Sequence, residues 1–139
     1  LLSLMPVLVD PGVLYAAADT DDGWHKRVRA WLETLREPLL VPVTVLPEIT
    51  YLLAKRLGAS AERTFVASVS AGEVAIESLT KADLERCRSI LDEHPAIGFV
   101  DASCVAMAER LRLRVLATTD RRHFAAIRPK HIKTFELVP

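Results

Sequence analysis

The sequence predicts an α/β protein: a parallel sheet covered by helices on both faces. Short, apolar, β-branched runs alternate along the chain with longer segments of helical periodicity, which is the pattern of successive βαβ units. Half of the 139 residues are apolar, enough for one domain, residues 1–139, to build its own core without disulfides.

The strands are expected at 6–9, 39–41, 73–76, 114–117 and 134–137. A short helix follows the first strand over Val13–Ala18, and a second runs over Trp24–Leu35 with Asp21 or Asp22 available as its cap. Asp19, between them, is turn chemistry. Thr44 is placed to cap a helix that continues to about Leu57 and stops at Gly58; Ser60 opens another, through about Ala71, that Gly72 terminates. Thr80-Lys81-Ala82-Asp83 resembles a capping box with Asp in the fourth place, and its helix ends near Asp92. Pro95 and Gly98 mark a loop before the helix Phe99–Leu111. The sequence contains no internal repeat, low-complexity tract or linker.

Charge is balanced overall, 18 basic against 18 acidic side chains, so net charge gives no reason to expect nucleic acid. The balance hides a split. Residues 1–109 hold 10 basic and 16 acidic side chains (net −6), and residues 110–139 hold 8 basic and 2 acidic (net +6). An acidic body with a basic edge can hold a cation in one place and a phosphate backbone beside it; an Arg-rich solvated surface explains the basic edge equally well. Cys87 and Cys104 are too few for a zinc site or a disulfide framework and are expected as buried, reduced thiols, which points to a cytoplasmic protein. The opening apolar run, Leu1 to Val9, lacks a basic leader, is too short to span a bilayer and ends at Asp10. It reads as a ragged start running into a buried strand.

Four carboxylates stand where charge is costly. Asp10 ends Val7-Leu8-Val9, Asp120 follows the strand 114–117 closely, and Glu48 and Asp101 interrupt apolar helical segments. Singly, each has an ordinary explanation as a turn, a cap or a helix N-terminal charge. Together they are different: in a doubly wound sheet the crevice beyond the carboxyl ends of the strands is the ligand site, and Asp10 and Asp120 both open into it if their strands are neighbours. Glu48 shares a helical stripe with Val45 and Leu52, and Asp101 with Val105 and Ala108. Crowded carboxylates raise one another's pKa, and a cation makes the cluster tolerable. With no His or Cys counted among the donors, the set is all-oxygen and suits Mg²⁺ or Mn²⁺. Such an ion activates water and neutralises charge on a phosphodiester, so the chemistry indicated is hydrolysis of a nucleic-acid backbone.

Four segments carry a resemblance: Val9-Asp10, Pro47-Glu48, Phe99-Val100-Asp101-Ala102, and Ala117-Thr118-Thr119-Asp120-Arg121-Arg122-His123-Phe124. Together, over nearly the whole chain, they resemble a PIN-domain ribonuclease of the VapC toxin type. The resemblance implies a three-layer α/β/α sandwich with a parallel sheet of about five strands, endoribonuclease activity dependent on Mg²⁺ with Mn²⁺ as substitute, a homodimer, and a cognate antitoxin encoded alongside. It implies that Asp10 and Asp101 ligate the metal most directly, while Glu48 and Asp120 complete the catalytic pocket. Water would attack phosphorus in line, leaving a 5′-phosphate and a 3′-hydroxyl. The family usually carries a small hydroxyl or amide residue just after the first Asp, where this chain has Pro11-Gly12. That departure motivates the alternative, a catalytically weakened module that binds RNA or a partner; Thr118 and Thr119 are the available hydroxyls.

Arg121, Arg122 and His123 are close enough to Asp120 in sequence to reach an RNA phosphate, and Arg112, Arg114, Arg128 and Lys130 extend the candidate track. Trp24, Trp31 and Tyr51 are expected mainly as core residues. Two other acidic-pocket folds fail on the sequence. A receiver module needs paired acids after the first strand and a phosphoacceptor Asp after the third, where Glu77-Ser78 stands; a haloacid-dehalogenase-type phosphatase needs a second Asp where Gly12 stands.

Overall fold

The computed structural model describes residues 4–139; the ragged start expected at residues 1–3 lies outside them. Among the described residues the order is β1 (Val7–Val9), α1 (Pro11–Ala18), α2 (His25–Thr34), β2 (Leu39–Pro42), α3 (Val45–Leu57), α4 (Ala59–Ser70), β3 (Ala75–Glu77), α5 (Lys81–Glu93), α6 (Phe99–Leu111), β4 (Val115–Ala117), α7 (Arg121–Ala125) and β5 (Glu136–Val138). The five strands form one parallel sheet in the order β3-β2-β1-β4-β5, with Leu8 paired to Leu40 on one side and Leu116 on the other. The order reverses at β1, so the switch point lies between β1 and β4.

The period of two along the strands divides the core into two layers. Leu8 and Leu116 join Val45, Ile49, Leu53, Ile90, Val105 and Met107 on the face covered by α3, α5 and α6. Val7, Val9 and Ala117 join Val13, Ala16 and Val28 on the other, under α1 and α2. Trp24 and Trp31 pack against this second layer, as expected. Tyr51 does not: it is 59 % exposed on α3, with the Lys55 ammonium over its ring at 5.5 Å. Cys87 and Cys104 are buried free thiols.

Several boundaries differ from the sequence reading for local reasons. The third and fifth strands begin two residues later than expected, at Ala75 and Glu136. The first helix starts two residues earlier, because Asp10 is its N-cap and Pro11 takes the first helical position, where a missing N–H costs nothing. Thr44 occupies the N-cap of α3 but its hydroxyl accepts no backbone N–H there; it pairs instead with Ser103 Oγ at 2.5 Å, tying the start of α3 to α6. Asp22 accepts from the Trp24 N–H in a turn ahead of α2 and leaves that helix without a side-chain cap. Nor does Ser60 cap α4, whose N-cap is Gly58. Gly58 and Gly72 have φ of 100° and 84°, the left-handed region that ends helices. The Thr80–Asp83 capping box is complete, both bonds being 3.0 Å. The five-residue helix α7 was not foreseen.

Candidate active site

The four acids gather at the N-terminal ends of four helices. Asp10 is the N-cap of α1, Asp120 that of α7, Glu48 lies in the first turn of α3 and Asp101 in the first turn of α6. Positive helix ends are where carboxylates cost least, so each cap explanation holds and also positions a site. The pairing of Val9 with Ala117 brings Asp10 and Asp120 out at adjacent strand ends, as the switch-point argument required.

Asp10 is almost fully buried. Its Oδ1 accepts from the Val13 N–H at 3.0 Å and its Oδ2 from the Thr118 hydroxyl at 2.6 Å. Burial nevertheless dominates and, with the negative charges of Asp101 and Asp120, raises its pKa from 3.8 to about 6. The Asp101 side chain makes no hydrogen bond among the described residues, and its pKa rises to about 6 through burial, then through the charges of Asp120 and Glu48. Two carboxyls whose charged forms are disfavoured by burial and by a third and fourth carboxylate form a cluster that a cation would relieve. An all-carboxylate set with bound water suits a hard divalent ion.

Glu48 is exposed, and the buried stripe beside it is Val45, Ile49 and Leu53, so the expected position on an apolar ridge is corrected by one helical face. It still lies near enough to raise Asp101. The reading that no His adjoins the acids is also corrected. His123 Nδ1 sits 2.6 Å from Asp120 Oδ2, and donor atoms of Asp101, Asp120 and His123 all fall within 4.8 Å of one another. One turn of α7 places residue 123 over residue 120, which could not be seen without knowing that the segment is helical.

Thr118 is the residue the sequence left undecided. Fully buried, its hydroxyl donates to Asp10 and accepts from the Asp120 N–H at 2.8 Å, so one side chain fixes both strand ends. Pro11-Gly12 therefore leaves Asp10 supported. A Cβ at position 12 would lie 2.3 Å from Thr119 Oγ1, so that hydroxyl fills the space a side chain there would take.

The phosphate track is shorter than expected. Arg121 stacks over Trp24, 5.6 Å from the ring centroid, and bonds the Pro139 carbonyl, so it braces the fold. Arg114 precedes β4, and Arg112 precedes it too; both sit at the end of the sheet opposite Asp120. The Lys130 N–H bonds Glu109, in the same surface region as Arg112. Arg122, exposed on α7, and Arg128, exposed beyond it, keep the expected freedom.

The comparisons with known proteins agree with this geometry. The PIN domain model matches residues 7–129. Ribonuclease VapC26 of Mycobacterium tuberculosis is 30% identical over 135 residues, 96% of this chain and 100% of that protein. Among solved structures, the M. tuberculosis toxin VapC20 superposes with a TM-score of 0.80 at 22% identity, covering 86% of this chain and 94% of its own. A toxin–antitoxin complex from Klebsiella pneumoniae matches with a TM-score of 0.71 at 19% identity, covering 96% of each chain. The β3-β2-β1-β4-β5 sheet, the acids at its carboxyl edge and these matches make the chain a PIN-domain protein of the VapC ribonuclease family.

Proposed function

We propose that this protein is the toxin of a toxin–antitoxin module and that it hydrolyses RNA phosphodiester bonds at the pocket formed by Asp10, Glu48, Asp101 and Asp120. The observation that carries the reading is the convergence of Asp10, Asp101 and Asp120 at the β1–β4 switch point, with Asp10 and Asp101 raised to about 6. Carboxyls in that condition gain most from a divalent cation, and their oxygen donors fit both Mg²⁺ and Mn²⁺. Asp10 and Asp101 are its principal ligands. When bound, the ion supplies charge neutralisation on the phosphodiester and a more acidic water.

The chain's own groups do the rest. Thr118 and the Val13 N–H hold the Asp10 carboxylate in one orientation, so its position is set before substrate arrives. Glu48 is exposed at the rim, where a carboxylate can orient or deprotonate the attacking water. Asp120, hydrogen-bonded to α7, completes the negative wall. Arg122 offers a charge for the RNA backbone next to the scissile phosphate.

The antitoxin partner is supported by the solved neighbours that are toxin–antitoxin complexes, among them VapBC2 of Rickettsia felis bound to a DNA fragment from its promoter. Tyr51, Leu57 and Val66 give α3 and α4 an exposed apolar surface for an antitoxin or for a second copy in a homodimer. Among the described residues no helix is long and apolar enough to cross a membrane.

Purified protein should cleave structured RNA with Mg²⁺ or Mn²⁺ and stop in EDTA. Asp10→Ala and Asp101→Ala should each remove cleavage, and growth arrest on expression, while the circular dichroism spectrum stays native. Undiminished arrest in either variant would refute the site; metal-independent cleavage would refute the role of the ion.

A further inference from the structure

The compact donor set at this pocket contains a nitrogen. Asp101, Asp120 and His123 each offer one ligand atom, all within 4.8 Å of one another, beside Asp10, whose two oxygens accept from the Val13 N–H and the Thr118 hydroxyl and each keep a lone pair for an ion. Donors around one octahedral ion at about 2.1 Å stand roughly 3 Å apart when adjacent and about 4.2 Å when opposite, so atoms within 4.8 Å of one another need only small side-chain adjustments to share a single ion. His123 Nδ1 and Asp120 Oδ2, now 2.6 Å apart, need to open by only a few tenths of an ångström to become adjacent ligands. Asp101 points to the same place from another helix and has no hydrogen-bond partner among the described residues to give up. The first turn of α7 holds the pair together: Asp120 Oδ1 accepts from the His123 N–H, which sets the imidazole on the pocket side of the helix.

We propose that His123 Nδ1 is a direct metal ligand, with Asp101 and Asp120, and that this nitrogen makes the centre prefer Mn²⁺ to Mg²⁺. The inference rests on the proposed metal-dependent site and adds to it a ligand and a selectivity. Imidazole binds transition ions well and Mg²⁺ poorly, whereas carboxylates take both, so one nitrogen in an otherwise oxygen set discriminates between the two. On binding, the Nδ1 lone pair replaces the hydrogen bond to Asp120; a neutral ring protonated at Nδ1 shifts to the Nε2–H tautomer by exchange with solvent, and a doubly protonated ring releases its Nδ1 proton to solvent.

The test reads coordination directly. The full chain is loaded with Mn²⁺ and examined by electron spin-echo envelope modulation, which detects the ¹⁴N coupling of a coordinated imidazole. Wild type should give that coupling and His123→Ala should lose it. In calorimetric titration the same substitution should weaken Mn²⁺ by about 10-fold or more and Mg²⁺ by under about 3-fold. His123→Gln keeps a side chain of similar reach with no imidazole, and it should behave as His123→Ala does. Mn²⁺ bound in an Asp101-dependent way but without ¹⁴N coupling would overturn the His123 assignment and leave the carboxylate site standing. Failure to bind Mn²⁺ at all would overturn both. Equal losses for Mn²⁺ and Mg²⁺ would overturn the selectivity.

Discussion

Replacing Asp101 with Asn should make the metal-free protein more stable, by an amount that pH sets. Folding raises the Asp101 pKa from 3.8 to about 6, so the folded chain holds this proton more tightly than the unfolded one. Stability therefore falls as pH rises from about 4 to 6, and above 6 the full cost of the charge is present. The raised value corresponds to about 3 kcal/mol. Water still reaches this half-buried group, and screening brings the figure to about 1–2 kcal/mol. Asn removes the charge and keeps the shape, and no hydrogen bond is broken among the described residues. It also relieves Asp10, whose pKa Asp101 helps to raise. For a chain of this length the gain is roughly 3–8 °C in Tm. Thermal unfolding in EDTA should show that gain at pH 8, about half of it at pH 5 and about a fifth at pH 4. An Asn variant no more stable than wild type at pH 8, or a gain independent of pH, would refute the reasoning.

Mg²⁺ or Mn²⁺ should raise the Tm of wild type more at pH 7.5 than at pH 5, because Asp10 and Asp101 must lose their protons to bind it; the Asp101→Asn variant should lose most of that response. Thr118→Val keeps the shape of a fully buried residue but strands Asp10 Oδ2 and the Asp120 N–H, so denaturant unfolding should show a loss of about 1–3 kcal/mol and calorimetry a weaker metal affinity. Gly12→Ala should cost about 1–3 kcal/mol by pushing on Thr119 Oγ1, and Thr119→Ala in the same chain should recover most of it; an additive double-mutant cycle would show that the close approach carries no strain. Asp83 is lowered despite its burial, because Arg110 and the Thr80 box outweigh desolvation, so its contribution is present at neutral pH and lost as pH falls through its folded pKa. Asp83→Asn should destabilise by about 1–3 kcal/mol at pH 7 and by less at pH 3, measured by urea unfolding at both.

The chain itself determined the alternation of strands and helices, the parallel sheet, and the fact that Asp10 and Asp120 follow strands. These are local matters. A buried parallel strand must be apolar on both faces, and a helix must show a stripe, so both patterns are written in order along the sequence. The four acids were legible for the same reason, as charges interrupting runs that should contain none. Tertiary structure alone decided what surrounds them. Thr118 serves Asp10 only because β1 and β4 are neighbours across more than a hundred residues of sequence. Arg121 turned inward because Trp24 and Pro139 wait for it, and Glu48 turned outward because Ile49 and Leu53 took the buried face. His123 joined the acids because Arg121–Ala125 folds as a single helical turn, too short to announce itself by periodicity. Orientation across a pocket depends on which elements pack side by side, and that is settled by the whole core at once, whereas element type is settled within a few residues.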